Sequence, residues 1–151
     1  MATVHLATGD PASAERLLDE ATSVLRPTGP WFLALTLHIR AILAMQRGNA
    51  DDTIAIVRDN LTLIRALHDK YAFVYALGPL AAAAVLKGND AWAARILGAR
   101  DAVTERTGAT VVVRQSLDDI IGLVERELRA RLGPERWAPM RQGAASLSMR
   151  Y

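Results

Sequence analysis

The sequence predicts an all-α chain of antiparallel helical hairpins stacked one on the next. Three observations lead there. Alanine occurs 27 times in 151 residues, while Phe, Trp and Tyr together number eight. That balance favours closely packed helices over a sandwich of strands, because Ala has the best helix propensity and strands are rich in aromatic and β-branched residues. A turn signature then recurs: Gly9-Asp10, Gly48-Asn49 and Gly88-Asn89, at intervals of 39 and 40 residues. Finally, each copy carries a small residue five places after its glycine (Ala14, Thr53, Ala93) and two aliphatics at eight and nine (Leu17-Leu18, Ile56-Val57, Ile96-Leu97). Repetition on this scale is the mark of stacked units, each burying its apolar face on its neighbours.

The unit has a physical logic. Glycine accepts the positive φ of a helix C-terminal cap, and the Asp or Asn that follows can cap the next helix by accepting from its free N–H groups. The small residue lets two helices approach, and the aliphatic pair faces their common core.

The elements follow in order. A helix over 11–25 starts from Asp10. The first copy is expected to be truncated, its leading helix having only ATVHLAT left and beginning about six residues before Met1 by the repeat spacing. Pro27 to Pro30 form a loop, since proline resists helix there. Helices are expected near 31–47, 51–67, 69–87 and 90–107. His68-Asp69 is a turn between the second and third of these, with Asp69 as cap. Pro79 lies inside the helix over 69–87 and is expected to kink or break it between Tyr75 and Gly78, by removing one backbone bond and crowding the carbonyl of Tyr75. GATVVV, 108–113, ends the repeats. A helix over 115–132 follows, with Leu117, Ile120, Ile121, Val124 and Leu128 on one face. Gly133-Pro134 stops it and begins a short helix over 134–141, and the tail from Gly143 is expected to be poorly ordered. The organisation is thus residues 1–107 as repeats and 108–151 as capping helices and tail.

Composition narrows the setting. With no cysteine there are no disulfides and no thiolate metal site, as in a cytoplasmic protein. The N-terminus lacks the basic and apolar regions of a secretion signal. The longest uncharged stretch, Tyr71 to Leu86, falls short of the ~20 residues that span a bilayer and contains Gly78-Pro79. Net charge is only +2, so the high isoelectric point reports an excess of arginine and not a basic face.

The glycine at the turn, the small residue in the helix after it and the alanines before it resemble tetratricopeptide repeats. Leu80, Ala81, Gly88, Ala93 and Leu97 fit that pattern in the third copy, whereas Arg40 and Thr53 depart from it in the second. The period is also longer than the usual ~34 residues. The resemblance implies a right-handed solenoid with a concave face, on which Leu35, His38, Ile42, Tyr71 and Tyr75 are the candidate ligand or partner contacts. A further resemblance covers Tyr71 to Met149. Gly88-Asn89, Ala93 to Ala99, Gly108, Leu132-Gly133, Trp137, Gly143 and Leu147-Ser148 are similar to the C-terminal part of bacterial LuxR-family regulators, in which helical repeats follow a signal-transduction ATPase core. Sixteen arginines against two lysines are compatible with an actinobacterial source.

Little in the sequence carries chemistry. His5, His38 and His68 form no metal-ligand spacing, and no phosphate-binding loop or dinucleotide fingerprint is present. Asp51-Asp52 and Asp118-Asp119 are adjacent carboxylates that cannot share a helix face; both fit the positive end of a helix dipole. The arginines from 114 onward are interleaved with carboxylates, unlike a nucleic-acid stripe. The expectation is a non-catalytic interaction or sensor domain of a transcriptional regulator, needing no cofactor or metal, contacting a protein partner or upstream domains of its own chain, and touching neither nucleic acid nor membrane directly. The rivals are a free-standing scaffold that binds a peptide or partner protein, and a helical domain that binds a small molecule. Leu17, Leu18, Ala21 and Leu25 are expected to form an apolar face with nothing to cover it, giving a homodimer through the N-terminal repeat.

Overall fold

The computed structural model describes residues 10–27, 29–108 and 114–143. Every regular element among them is an α-helix: α1 (Pro11–Leu25), α2 (Pro30–Gln46), α3 (Ala50–Leu67), α4 (Lys70–Leu86), α5 (Asp90–Thr107), α6 (Arg114–Leu132) and α7 (Pro134–Gly143). Gly9, residues 109–113 and the tail beyond Gly143 lie outside the described residues.

The turns are built as the recurring dipeptides require. Gly48 has φ +72° and Gly88 φ +69°, the left-handed conformation that a side chain resists. At the first turn the Gly48 N–H donates to the Met45 carbonyl and the Asn49 N–H to Ala44; at the second, Gly88 donates to Val85 and Asn89 to Ala84. This paired closure satisfies two carbonyls that the end of a helix would otherwise leave bare. The next residue opens the following helix. Asn49 accepts from the Asp52 N–H at 3.1 Å, Asn89 from Trp92 at 3.2 Å, and Asp10 from Ser13 at 3.0 Å. A third closure of the same kind joins α3 to α4 with no glycine. His68 takes φ 53°, its N–H donates to Arg65 and that of Asp69 to Ile64, and Asp69 then caps α4.

The residues five places past each turn glycine are sealed: Ala14, Thr53 and Ala93 are each 0% exposed. Of each aliphatic pair the second member is the deeper, with Leu18, Val57 and Leu97 all buried. Each helix packs on the next in sequence. Beyond that, α4 touches both α2 and α6, and α7 touches α5 as well as α6. Gly133, with φ +73°, forms the turn between α6 and α7. Two core clusters result. One joins Ala34 and Ala41 of α2 to Val57 and Ile64 of α3 and Ala76 of α4. The other joins Leu77, Ala81, Ala82 and Ala84 of α4 to Ala93, Ala94 and Leu97 of α5, and then to Ile121, Val124, Leu128 and Trp137. The side chains of Leu117 and Ile120 lie outside the described set.

Pro79 does not break α4. The helix runs without interruption from Lys70 to Leu86. Proline still leaves the Tyr75 carbonyl without its usual partner. But Pro79 is among the most deeply buried side chains, and Ala76 to Pro79 are all covered. Packing against α2, α3, α5 and α6 holds the segment helical on every side.

Candidate functional site

Packing leaves open a cluster of large apolar side chains on a face shared by α2 and α4, while Val24, Leu86, Trp92 and Leu123 are exposed elsewhere. Most of α2 is spoken for: Leu33, Ala34, Ala41, Leu43 and Ala44 are buried. Its remaining side carries Trp31, Phe32 and Leu35 into solvent, at 53%, 56% and 47% exposure. Tyr71 at the start of α4 is 57% exposed. Trp31 and Phe32 meet edge to face, with ring centroids 5.1 Å apart. The two helices are tied at this end by Asp69. One carboxylate oxygen accepts from the Trp31 indole N–H at 3.1 Å, and the other accepts from the backbone N–H groups of Tyr71 and Ala72. One acid thus caps α4 and orients the indole above it. No charged residue lies between Pro30 and Ile39, so this side of α2 is uncharged over two and a half turns. Clustered large apolar side chains left in water mark interaction surfaces more often than singly scattered ones do.

One turn further along, His38 meets Tyr75 across the helix pair, ring centroids 5.8 Å apart and planes at 68°. The imidazole is 8% exposed, and neither ring nitrogen has a hydrogen-bond partner. Burial pushes its pKa from 6.5 down to about 4, so the ring is neutral at neutral pH. The structure therefore brings His38 and Tyr75 into contact and leaves Leu35 and Tyr71 open beside them. Ile42, one further turn along the same side of α2, is half-buried. His38 is closed over, not open to a partner, because α2, α3 and α4 meet where its ring lies. Sequence reasoning missed Trp31 and Phe32. Their signal was available: two adjacent aromatics directly after Pro30, in a chain that has eight in all.

Arg40, which stands where the tetratricopeptide pattern has an aliphatic residue, faces α1. It binds Asp19 at 2.7 Å, and Arg47 binds both oxygens of Glu15 at 2.9 and 2.7 Å. The hydrogen bond from Arg47 holds the Glu15 carboxyl below its ordinary pKa. A cleft of about 240 Å³ lies between α1, α2 and α3, lined by Glu15, Leu18, Arg40, Arg47 and Asp52 among others. Both of its arginines are matched by carboxylates, so it offers little excess charge to an anion. Leu18, expected on an uncovered face of α1, is 2% exposed. The reason is α2, which lies against α1; Leu17, Ala21 and Leu25 are half-buried, and Val24 is a large hydrophobic left exposed, at 66%.

At the other end, Trp137 is buried with the guanidinium groups of Arg129 and Arg141 near its ring, at 5.8 and 5.2 Å. Arg141 also pairs with Asp101 and Glu125, and Arg131 with Glu127 and Asp90. These arginines are engaged within the fold. Among the described residues no three His, Asp or Glu side chains are grouped to hold a metal ion, and no helix is long and apolar enough to cross a membrane. No family model, curated protein or solved structure matches the chain.

Proposed function

We propose that this chain is a non-catalytic helical-repeat domain that docks a protein partner, or the upstream part of its own polypeptide, within a cytoplasmic bacterial transcriptional regulator. The hairpins stack in this reading as a tetratricopeptide-like right-handed solenoid, with α2 and α4 side by side on its concave face. The observation that carries it is the uncharged stripe of Trp31, Phe32, Leu35 and Tyr71, held in fixed relation by the Trp31–Asp69 hydrogen bond. Three large half-exposed aromatics and a leucine cost solubility unless something covers them. Trp and Tyr are also enriched among the few residues that dominate binding energy at protein interfaces. The regulator context rests on the likeness of 71–149 to the C-terminal region of LuxR-family proteins.

Replacing Trp31 with Ala together with Leu35 with Glu tests this. Both side chains are half exposed, and Trp31→Ala also removes the hydrogen bond to Asp69, so the melting temperature should fall by about 4 °C or less. In the source organism the double variant should reproduce the transcript changes caused by deleting the gene. If deletion leaves transcription untouched, the regulator reading fails and the free-standing scaffold stands in its place. If deletion alters transcription and the variant does not, the docking face lies elsewhere.

A further inference from the structure

We propose that His38 is an acid-sensitive latch on the contact between α2 and α4: protonating its imidazole drives the ring away from Tyr75 and loosens the helix pair that carries the exposed stripe. The inference does not depend on what binds that stripe, and its test needs no ligand.

The argument begins with position. His38 lies on α2 between Ala34 and Ala41, both members of the cluster that includes Val57, Ile64 and Ala76. An aliphatic residue there would fit the same surroundings without polar atoms. Imidazole brings two nitrogens, and both are buried without a partner. In the neutral ring that leaves one donor and one acceptor unmet; in the imidazolium it leaves two donors and a full charge. An unpaired charge in an apolar setting is far costlier than an unpaired neutral group, and the group responds by staying neutral or by leaving.

No group is hydrogen-bonded to the ring to receive the proton's charge: the buried Asn60 Oδ1 of α3, also without a partner, is not bonded to it, and Asp69 at the head of α4 is held by the Trp31 indole. From α1, the carboxylates that reach α2 are Glu15 and Asp19, already bound to Arg47 and Arg40. From α3, Asp51 is bound to Lys87 and Asp52 to the Asn49 side chain, while Arg58, Asp59 and Arg65 are exposed. From α4, Lys70 and Tyr71 face water, and Tyr75 offers its ring. The closed state therefore excludes the proton, and an open state that wets His38 accepts it.

The sign follows. His38 titrates at about 4 when closed and near its ordinary 6.5 when open. Its contribution to closure is complete above pH 6.5 and is lost progressively as pH falls from there toward 4. At pH 5.5 the open state gains about ten-fold over the closed one, relative to pH 7.5.

Hydrogen exchange read by mass spectrometry, corrected for the intrinsic pH dependence of exchange, tests this on the intact chain. Opening constants for α2 and α4 amides should rise about ten-fold between pH 7.5 and 5.5, with α7 unchanged. His38→Leu and His38→Gln should flatten that response, and His68→Gln, at an exposed turn, should keep it. An absent response in the wild type overturns the proposal, as does an equal response in both His38 variants. If neither variant folds, the imidazole resonances of the wild-type protein decide. A folded-state His38 signal unchanged from pH 8 to 5 supports the latch. One that titrates at 6.5 or above shows that Tyr75 or bound water carries the charge, and overturns it.

Discussion

The hairpins α2–α3 and α4–α5 share one plan and were filled differently. Both turn on a left-handed glycine, both cap the second helix with Asn, and both seal a small residue five places on. In α4–α5 the contents are almost purely apolar: Ala81 to Ala84, Ala93, Ala94 and Leu97 are buried, and α4 is walled in by four other helices. In α2–α3 the same layer contains Thr36, His38, Thr53 and Asn60, all buried, and the outside bears Trp31, Phe32 and Leu35. Thr36 and Thr53 return their hydroxyls to carbonyls one turn back, of Phe32 and Asn49. His38 and the Asn60 carbonyl oxygen have no partner. Sequences depart from local rules chiefly where function asks for it. By that measure the α4–α5 hairpin keeps more closely to local rules and the α2–α3 hairpin departs from them, while the exposed stripe draws on both through Tyr71 of α4.

The comparison breaks first at Ala93. With 0% exposure, its Cβ marks how closely α5 approaches its neighbours. Ala93→Leu should overpack the α4–α5 hairpin and destabilise by roughly 1–3 kcal/mol. Thermal denaturation should show a fall of several degrees, and an unchanged midpoint would mean the hairpin is not close-packed there. Asn60→Leu should sharpen the contrast from the other side. Removing a buried acceptor without a partner and adding apolar surface should stabilise by about 1 kcal/mol, read as a higher urea midpoint at constant slope. A loss instead would mean that Asn60 is paired through ordered water. The smallest effect concerns the joint between the two hairpins. His68 pays the left-handed penalty that Gly48 and Gly88 avoid, so His68→Gly should gain about 0.5 kcal/mol after the extra chain entropy of glycine is offset. A midpoint lowered by the change would show that the His68 side chain holds the turn.

The joints were legible in the sequence and the fillings were not. Gly48-Asn49 and Gly88-Asn89 name their own conformation, and helix boundaries read from them fall within two residues of the observed ones. Ala93 and Thr53 were placed correctly because a fixed offset from a turn fixes a helix face. His38 needed more. Its isolation depends on Tyr75, 37 residues away, and on the convergence of three helices, which no local pattern states. Arg40 looked like a flaw in the repeat until Asp19 was seen opposite it. The tie of Trp31 to Asp69 spans 38 residues and has no local signal. Of the kink or break expected at Pro79, the break is absent, because the neighbours that hold α4 helical are distant in sequence.

The bridges between hairpins have a consequence for how such a chain can change length. A base just ahead of each turn glycine reaches back to an acid early in the preceding long helix: Arg47 to Glu15, Lys87 to Asp51, and, two residues before Gly133, Arg131 to Asp90. Half-exposed pairs like these add little stability. What they share is phase. Cutting out Asn49 to Gly88, 40 residues, removes Asp51 and Lys87 together and joins Gly48 to the segment after Gly88. Arg47 keeps Glu15 and Arg131 keeps Asp90. The same splice in reverse inserts a unit that arrives with both halves of its own bridge. Whole-repeat duplication or loss thus keeps these three bridges in step, whereas a cut that takes one member of a bridge without the other strands its partner.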